Sequence, residues 1–204
     1  MSEPGKMTTA SGKARGGRST SSRANLLRVG AEMLARDPRA SLDDIARAAK
    51  VGRATLHRHF ASRTDLLREI GLAALTMIEA AVVAAQPSDG TPEQALRRLI
   101  DALTPLGVHA HFLLYAADLF DDPALKQADE RITGLILPVV LRARRAGLIR
   151  ADVPDAWIFA SLEALLYAAW NAVQIGTVAR NDAPRLVLTS FLQGVGGRGG
   201  SDHG

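Results

Sequence analysis

The stretch SLDDIARAAKVGRATLHRHFASRTDLL, Ser41 to Leu67, decides the fold. Ser41 is a good N-cap, and Asp44 at the third helical position makes a capping box with Asp in place of Glu. Leu42, Ile45, Ala46 and Ala49 give that helix a short apolar face. Val51-Gly52 breaks it, glycine being the residue that enters a left-handed turn at least cost. A second short helix follows from Arg53 to about Phe60, with Leu56 and Phe60 four apart as buried anchors. Arg53, Ala54, His57 and Arg58 then point outward, and Thr55 lies at the edge. Two short helices joined by a tight turn form a helix-turn-helix. Its second helix is shaped to enter a DNA major groove, where a small residue allows close approach and arginine pairs with guanine in two bonds.

The charge distribution agrees with that reading. The 204-residue chain carries a formal net charge of +4. Residues 1–65 hold 13 Lys/Arg against 6 Asp/Glu, and residues 66–204 hold 12 against 15. A basic first third on a mildly acidic remainder suits a polyanion-binding segment attached to a neutral body. Cysteine is absent, so disulfides, thiolate metal sites and thiol nucleophiles are excluded, and a reducing cytoplasm is compatible. The polar N-terminus lacks the apolar core of a secretory signal. No apolar run is expected to reach membrane-spanning length.

Working outward, residues 1–22 have no apolar periodicity and read as a disordered basic arm, with Lys13, Arg15 and Arg18 available to phosphates. Leu26, Leu27, Gly30, Met33 and Leu34 lie on one stripe of a first helix, which Asp37-Pro38 stops. After Phe60, Ser62 or Arg63 caps a fourth helix running to about Gln86, and Asp65 favours its positive end. The remainder reads as helices over 93–105, 108–120, 124–146, 155–178 and 183–194. Pro138 should bend the third of these, and Gly147 should close it, with Arg142, Arg144 and Arg145 at its negative end. No stretch alternates convincingly over strand length, so the fold class is all-α.

The Ser41–Leu67 stretch resembles the DNA-binding domain of TetR-family (tetracycline-repressor-like) transcriptional regulators. Thr55, Leu56, Arg58, His59, Phe60, Arg63, Leu66 and Leu67 stand where the family's "TLY(R/H)HF" helix and following Leu pair are expected. His57 departs from the pattern, which usually has tyrosine there. Both side chains can donate to a phosphate, and a protonated His is attracted more strongly. The resemblance implies phosphate contacts at Ser41, Thr55, His57 and Arg63, and base-edge contacts at Arg53, Ala54 and Arg58. Arg23 could reach the backbone or minor groove, and His59 reads as a structural wedge.

The resemblance also implies an organisation: arm 1–22, helix-turn-helix domain 23–67, ligand-binding and dimerisation domain 68–195, tail 196–204. The 155–178 helix is apolar on more than one face and must be covered on two sides. With the 183–194 helix it could form a four-helix interface across a two-fold axis, making a homodimer. The expected partners are thus a double-stranded DNA operator, a second copy and a small-molecule effector. The chain would be a repressor released by that effector; the alternative is an activator, or a regulator that answers to no ligand. Candidate pocket residues are Met77, His109, Phe112, Tyr115, Glu163, Tyr167, Trp170 and Asn171, polar groups among aromatics being the usual pocket composition. No cofactor is expected. No metal site is expected either: His57/His59 and His109/His111 are two apart on helices and point about 200° away from each other. No catalytic constellation is recognisable, so the chain does not read as an enzyme.

Overall fold

The computed structural model describes the backbone of residues 13–115 and 121–196, and the side chains of 22–113 and 121–196. The arm residues 1–12 and tail residues 197–204 lie outside the described residues. The described residues form helices α1 (Lys13–Arg36), α2 (Leu42–Ala48), α3 (Arg53–His59), α4 (Arg63–Ala84) and α5 (Pro92–Leu103). A 3-10 turn (Thr104–Leu106) leads into α6 (Gly107–Tyr115), α7 (Pro123–Arg145), α8 (Asp155–Gln174) and α9 (Ala183–Val195). The fold is all-α. The one β-type pairing described is an isolated bridge between Ile149 and Gly196, which ties the end of α9 to the loop after α7.

Local chemistry sets most boundaries. Ser41 accepts from the Asp44 N–H while Asp44 accepts from the Ser41 N–H, closing the capping box on α2. Ser62 caps α4 by accepting from the Asp65 N–H, while the Asp65 carboxylate accepts from the Ala61 N–H. Gly147 closes α7 at φ +72°, with the Leu148 N–H bonded back to the Ala143 carbonyl. Gly176, also at positive φ, ends α8 at Gln174, short of the expected 178.

Three expectations are corrected and one, for the arginines at the end of α7, is extended. First, α1 reaches back to Lys13 rather than starting near residue 23. Extending an existing helix adds a bond for each residue ordered and needs no new nucleus. Second, the left-handed residue between α2 and α3 is Lys50 (φ 56°), while Gly52 is an ordinary extended N-cap (φ −70°). The Val51 N–H bonds the Ala46 carbonyl and the Lys50 N–H bonds that of Arg47. This six-residue closure puts the turn one residue after the C-cap Ala49, whichever side chain stands there. Third, Arg142 and Arg144 do more than offset the α7 dipole. Arg142 donates to the carbonyls of Pro87, Ser88 and Gly90. Arg144 donates to the Val153 carbonyl and pairs with Asp155 at 2.5 Å. Fourth, α8 is long and apolar enough, by length and composition, to cross a membrane. Here it packs against α6, α9 and the 3-10 turn. Pro138 sits inside an α7 that continues on both sides of it.

Two apolar cores result. Leu26, Leu34, Ile45, Leu56, Phe60, Leu66 and Ile70 fill the first, made by α1 to the start of α4. Leu75, Ile78 and Val82 from the rest of α4 enter the second, with α5 to α9. At the α6–α8 crossing the two backbones approach closely. A β-carbon on Gly107 would lie 2.1 Å from the Leu166 carbonyl oxygen, so α8 can approach only glycine there. Gly107→Ala should force the helices apart and cost about 2 kcal/mol. Thermal denaturation should show the midpoint falling by roughly 4–8 °C; an unchanged midpoint would refute the crossing.

Candidate DNA interface and body cavity

The helix-turn-helix is built from the inside. Leu56 and Phe60 are fully buried, which fixes the rotation of α3. Gly52, Arg53, Ala54, His57 and Arg58 are consequently exposed, with Thr55 half-buried at the edge. The Arg58 side chain makes no hydrogen bond or ion pair among the described residues, nor does that of Lys50, an exposed cation outside the expected contact set. Arg53 Nε lies 3.3 Å from Asp43, both side chains exposed, a pairing worth little in water and easily exchanged for another anion. The Ser41 hydroxyl is committed to Asp44 at 2.5 Å, and with the Ser41 N–H it holds that carboxyl below the usual range.

Two predicted contacts are held more firmly inside the protein. Arg23 pairs with Glu69 and lies 5.6 Å over the Phe60 ring. Arg63 donates to the Pro38 carbonyl at 2.6 Å, bracing the start of α4 against the α1–α2 loop. His59 is half-buried beside Phe60, at 6.2 Å between ring centroids, the wedge position expected of it.

The pocket candidates disperse. A cavity of about 70 Å³ lies in the body. Leu75 and Ile78 of α4 line it, with Leu103, Leu106, Ala110 and Leu113 from α5, the 3-10 turn and α6. Across from them stand Asp129, Ile132, Thr133 and Ile136 of α7, and Phe159, Leu162, Glu163 and Leu166 of α8. Of the candidates only Glu163 is among these. Phe112 is buried in the first core. Met77 is exposed at 44%, because α4 turns Ile78 rather than Met77 inward. Asn171 is half-buried on α8, away from this lining. The Tyr115 side chain lies outside the described residues.

His109, Tyr167 and Trp170 gather instead at a seam between α1, α6 and α8. His111 stacks on Tyr167 at 3.5 Å, Tyr167 on Trp170 at 5.8 Å, and Arg36 of α1 lies 5.3 Å over Trp170. Burial pushes both His109 and His111 below the ordinary histidine range, Glu32 opposing this at His109. The seam joins the first core to the body. A chain of ion pairs makes the same junction: Arg23 to Glu69, Glu69 to Arg68, and Arg68 to Asp122 at 2.6 Å, Asp122 being the N-cap of α7.

Two acids line the cavity. Burial, with a smaller push from Asp129, raises Glu163 to about 7. Asp129 is also raised, by burial and then by Glu130, but it is exposed at the rim, so Glu163 is the group that titrates near neutrality. Neither acid has an ion pair or hydrogen bond among the described residues. On the outer side, α8 and α9 leave a groove lined by Leu165, Ala169, Ala172, Leu186 and Ser190, with Leu186 40% exposed.

Known proteins share this architecture. The profile of "Bacterial regulatory proteins, tetR family" matches residues 26–70. The chain is 33% identical over 167 residues to the HTH-type transcriptional repressor LfrR of Mycolicibacterium smegmatis, covering 80% of this chain and 84% of that protein. It is 27% identical to the HTH-type transcriptional regulator NfxB of Pseudomonas aeruginosa, covering 78% and 86%. The crystal structure of LfrR in complex with proflavine superposes with a TM-score of 0.67 at 32% identity, covering 85% of this chain and 96% of that one.

The raised Glu163 has a consequence for stability. A carboxyl that binds its proton more tightly when folded stabilises the protein fully below its unfolded value, near 4.5, and that contribution is lost as pH rises through about 7. Glu163→Gln should remove this slope and denature a few degrees higher than wild type at pH 8. Parallel midpoint–pH curves for the two proteins would contradict it.

Proposed function

Because the chain belongs to the TetR family of transcriptional regulators, we propose that it is a repressor whose dimer leaves its operator when a small molecule enters the body cavity. The observation that carries this is the reach of α4. Leu66 and Ile70 at one end pack under the recognition helix, and Leu75 and Ile78, further along, line the cavity. A ligand too bulky for the cavity as it stands displaces its α4 or α7 wall. Displacing α4 moves the helix-turn-helix it supports. The complex of the LfrR repressor with proflavine supports a small molecule in such a body.

In this reading Arg53, Ala54 and Arg58 meet base edges, while Ser41, Thr55, His57 and Lys50 meet phosphates. Arg23 and Arg63 chiefly hold the domain in shape, their charges lying close to the DNA. The apolar groove on α8 and α9 receives the same groove of a second copy. The pair presents two recognition helices to successive major grooves, about 34–36 Å apart, on a palindromic cytoplasmic operator. A ligand preferring a different separation shifts the population away from DNA. The proposed role is therefore binding and release, with no catalytic step and no cofactor.

The test uses the DNA flanking the protein's own gene, labelled for fluorescence anisotropy. Salt-dependent, sequence-selective binding is expected. Arg58→Ala should weaken it by about 10–100-fold, with the thermal midpoint unchanged. Binding indifferent to salt, or to Arg58→Ala, would rule the interface out. Small molecules that raise the thermal midpoint should also lower DNA affinity; if none does, the chain is a regulator that answers to no ligand.

A further inference from the structure

The cavity contains a charge problem that its walls do not solve. None of the lining residues from α4, α5, the 3-10 turn and α6 is titratable. The titratable groups facing it are Asp129 on α7 and Glu163 on α8. Along α7, Arg131 is turned to Glu79 of α4 at 3.1 Å, and exposed Lys126, one turn before Asp129, makes no ion pair with either acid. The undescribed stretch 116–120 has no Lys, Arg or His. An acid in an apolar wall with no cation beside it stays protonated or waits for a positive charge from outside. Two carboxyls among aliphatic side chains offer too few oxygens for a bare metal ion, whereas the same surroundings suit a cation that carries its own apolar body.

We propose that the cavity selects an apolar organic cation, its positive nitrogen set toward Glu163 and Asp129 and its hydrocarbon against Leu75, Ile78, Phe159 and Leu166, and that its entry expels one proton from Glu163. This rests on the reading that the cavity is the effector site. The exchange balances: the neutral carboxyl releases its proton to water, and the resulting carboxylate pairs with the incoming cation. Asp129, at the rim, is met first and draws the cation in. Charge selection follows because a neutral ligand of the same shape gains the apolar contacts but leaves the acid protonated. Affinity for the cation should climb as pH rises toward 7, about tenfold per unit, and level off above it.

The experiment titrates the full chain with N-methylacridinium, whose charge is permanent, and with acridine, which is neutral at pH 8. Binding is read by fluorescence at pH 6, 7 and 8, alongside anisotropy of the bound DNA. The cation should bind wild type at least about tenfold tighter than acridine at pH 8, with the stated pH slope. Glu163→Gln should abolish the slope and reduce the preference to the several-fold that Asp129 supplies, while still binding acridine, which shows that the cavity is intact. Asp129→Asn should keep the slope and lower cation affinity several-fold. Equal affinities for the two probes, no binding of either, or a pH slope that survives in Glu163→Gln would overturn the proposal. A cation bound with the expected signature but without effect on DNA affinity upholds the site and rejects the release reading. DNA released by acridine but not by the cation overturns the cation site and leaves the release reading standing.

Discussion

The structure depends on α4 being one uninterrupted helix from Arg63 to Ala84. Its first two turns complete the core beneath the recognition helix, and its middle turns form a wall of the body. A helix is stiff along its axis, so a displacement of α4 in one core is carried into the other. The ends of this rod are fastened by polar chemistry. Ser62 and Asp65 close its start, and Arg63 ties that start to the Pro38 carbonyl. At the far end Arg98 donates to the carbonyls of Ala85, Gln86 and Asp89. Carbonyls at a helix terminus lack internal partners, and two guanidinium groups, Arg98 and Arg142, supply them around this loop.

The junction between the cores is made of different material from their interiors. The Arg23–Glu69–Arg68–Asp122 chain and the Arg36–Trp170–Tyr167–His111 stack both cross it. Half-exposed ion pairs and stacked rings contribute modestly to stability and tolerate small sliding movements. A packed aliphatic core does not. The molecule is thus rigid within each part and more yielding where they meet, as expected of a device that must change the position of one part relative to the other.

Much of this was legible in the sequence wherever a few neighbouring residues decide the outcome. The Ser41–Asp44 box, the Ser62 cap, the Leu56/Phe60 pair and the Gly147 stop are local chemistry, and each stands where the spacing placed it. Glycine tolerates the left-handed region best, so the sequence points to Gly52 for the turn after α2. The hydrogen-bond closure placed that residue at Lys50 instead. The cavity was harder to foresee. Asp129 sits in QADERIT, a charged run that reads as a solvated helix face, and only the packing of α7 against α8 brings one of its acids to the cavity rim. The polar and aromatic residues of α6 and α8 were grouped by composition into one pocket. The crossing at Gly107 sends His109, Tyr167 and Trp170 toward α1 instead. Which face of a helix meets which neighbour is a long-range property, and one chain without its relatives does not encode it visibly.

The small size of the cavity separates two kinds of ligand. A compound that fits the cavity as it stands gains the contacts and leaves α4 where it is. It would occupy the site without a message. A bulkier compound must do mechanical work on the helices, so part of its contact energy becomes the signal and its measured affinity is correspondingly lower. The tightest binder and the most effective inducer therefore need not be the same molecule. A small silent ligand would act as an antagonist, holding the repressor on DNA while larger inducers are present.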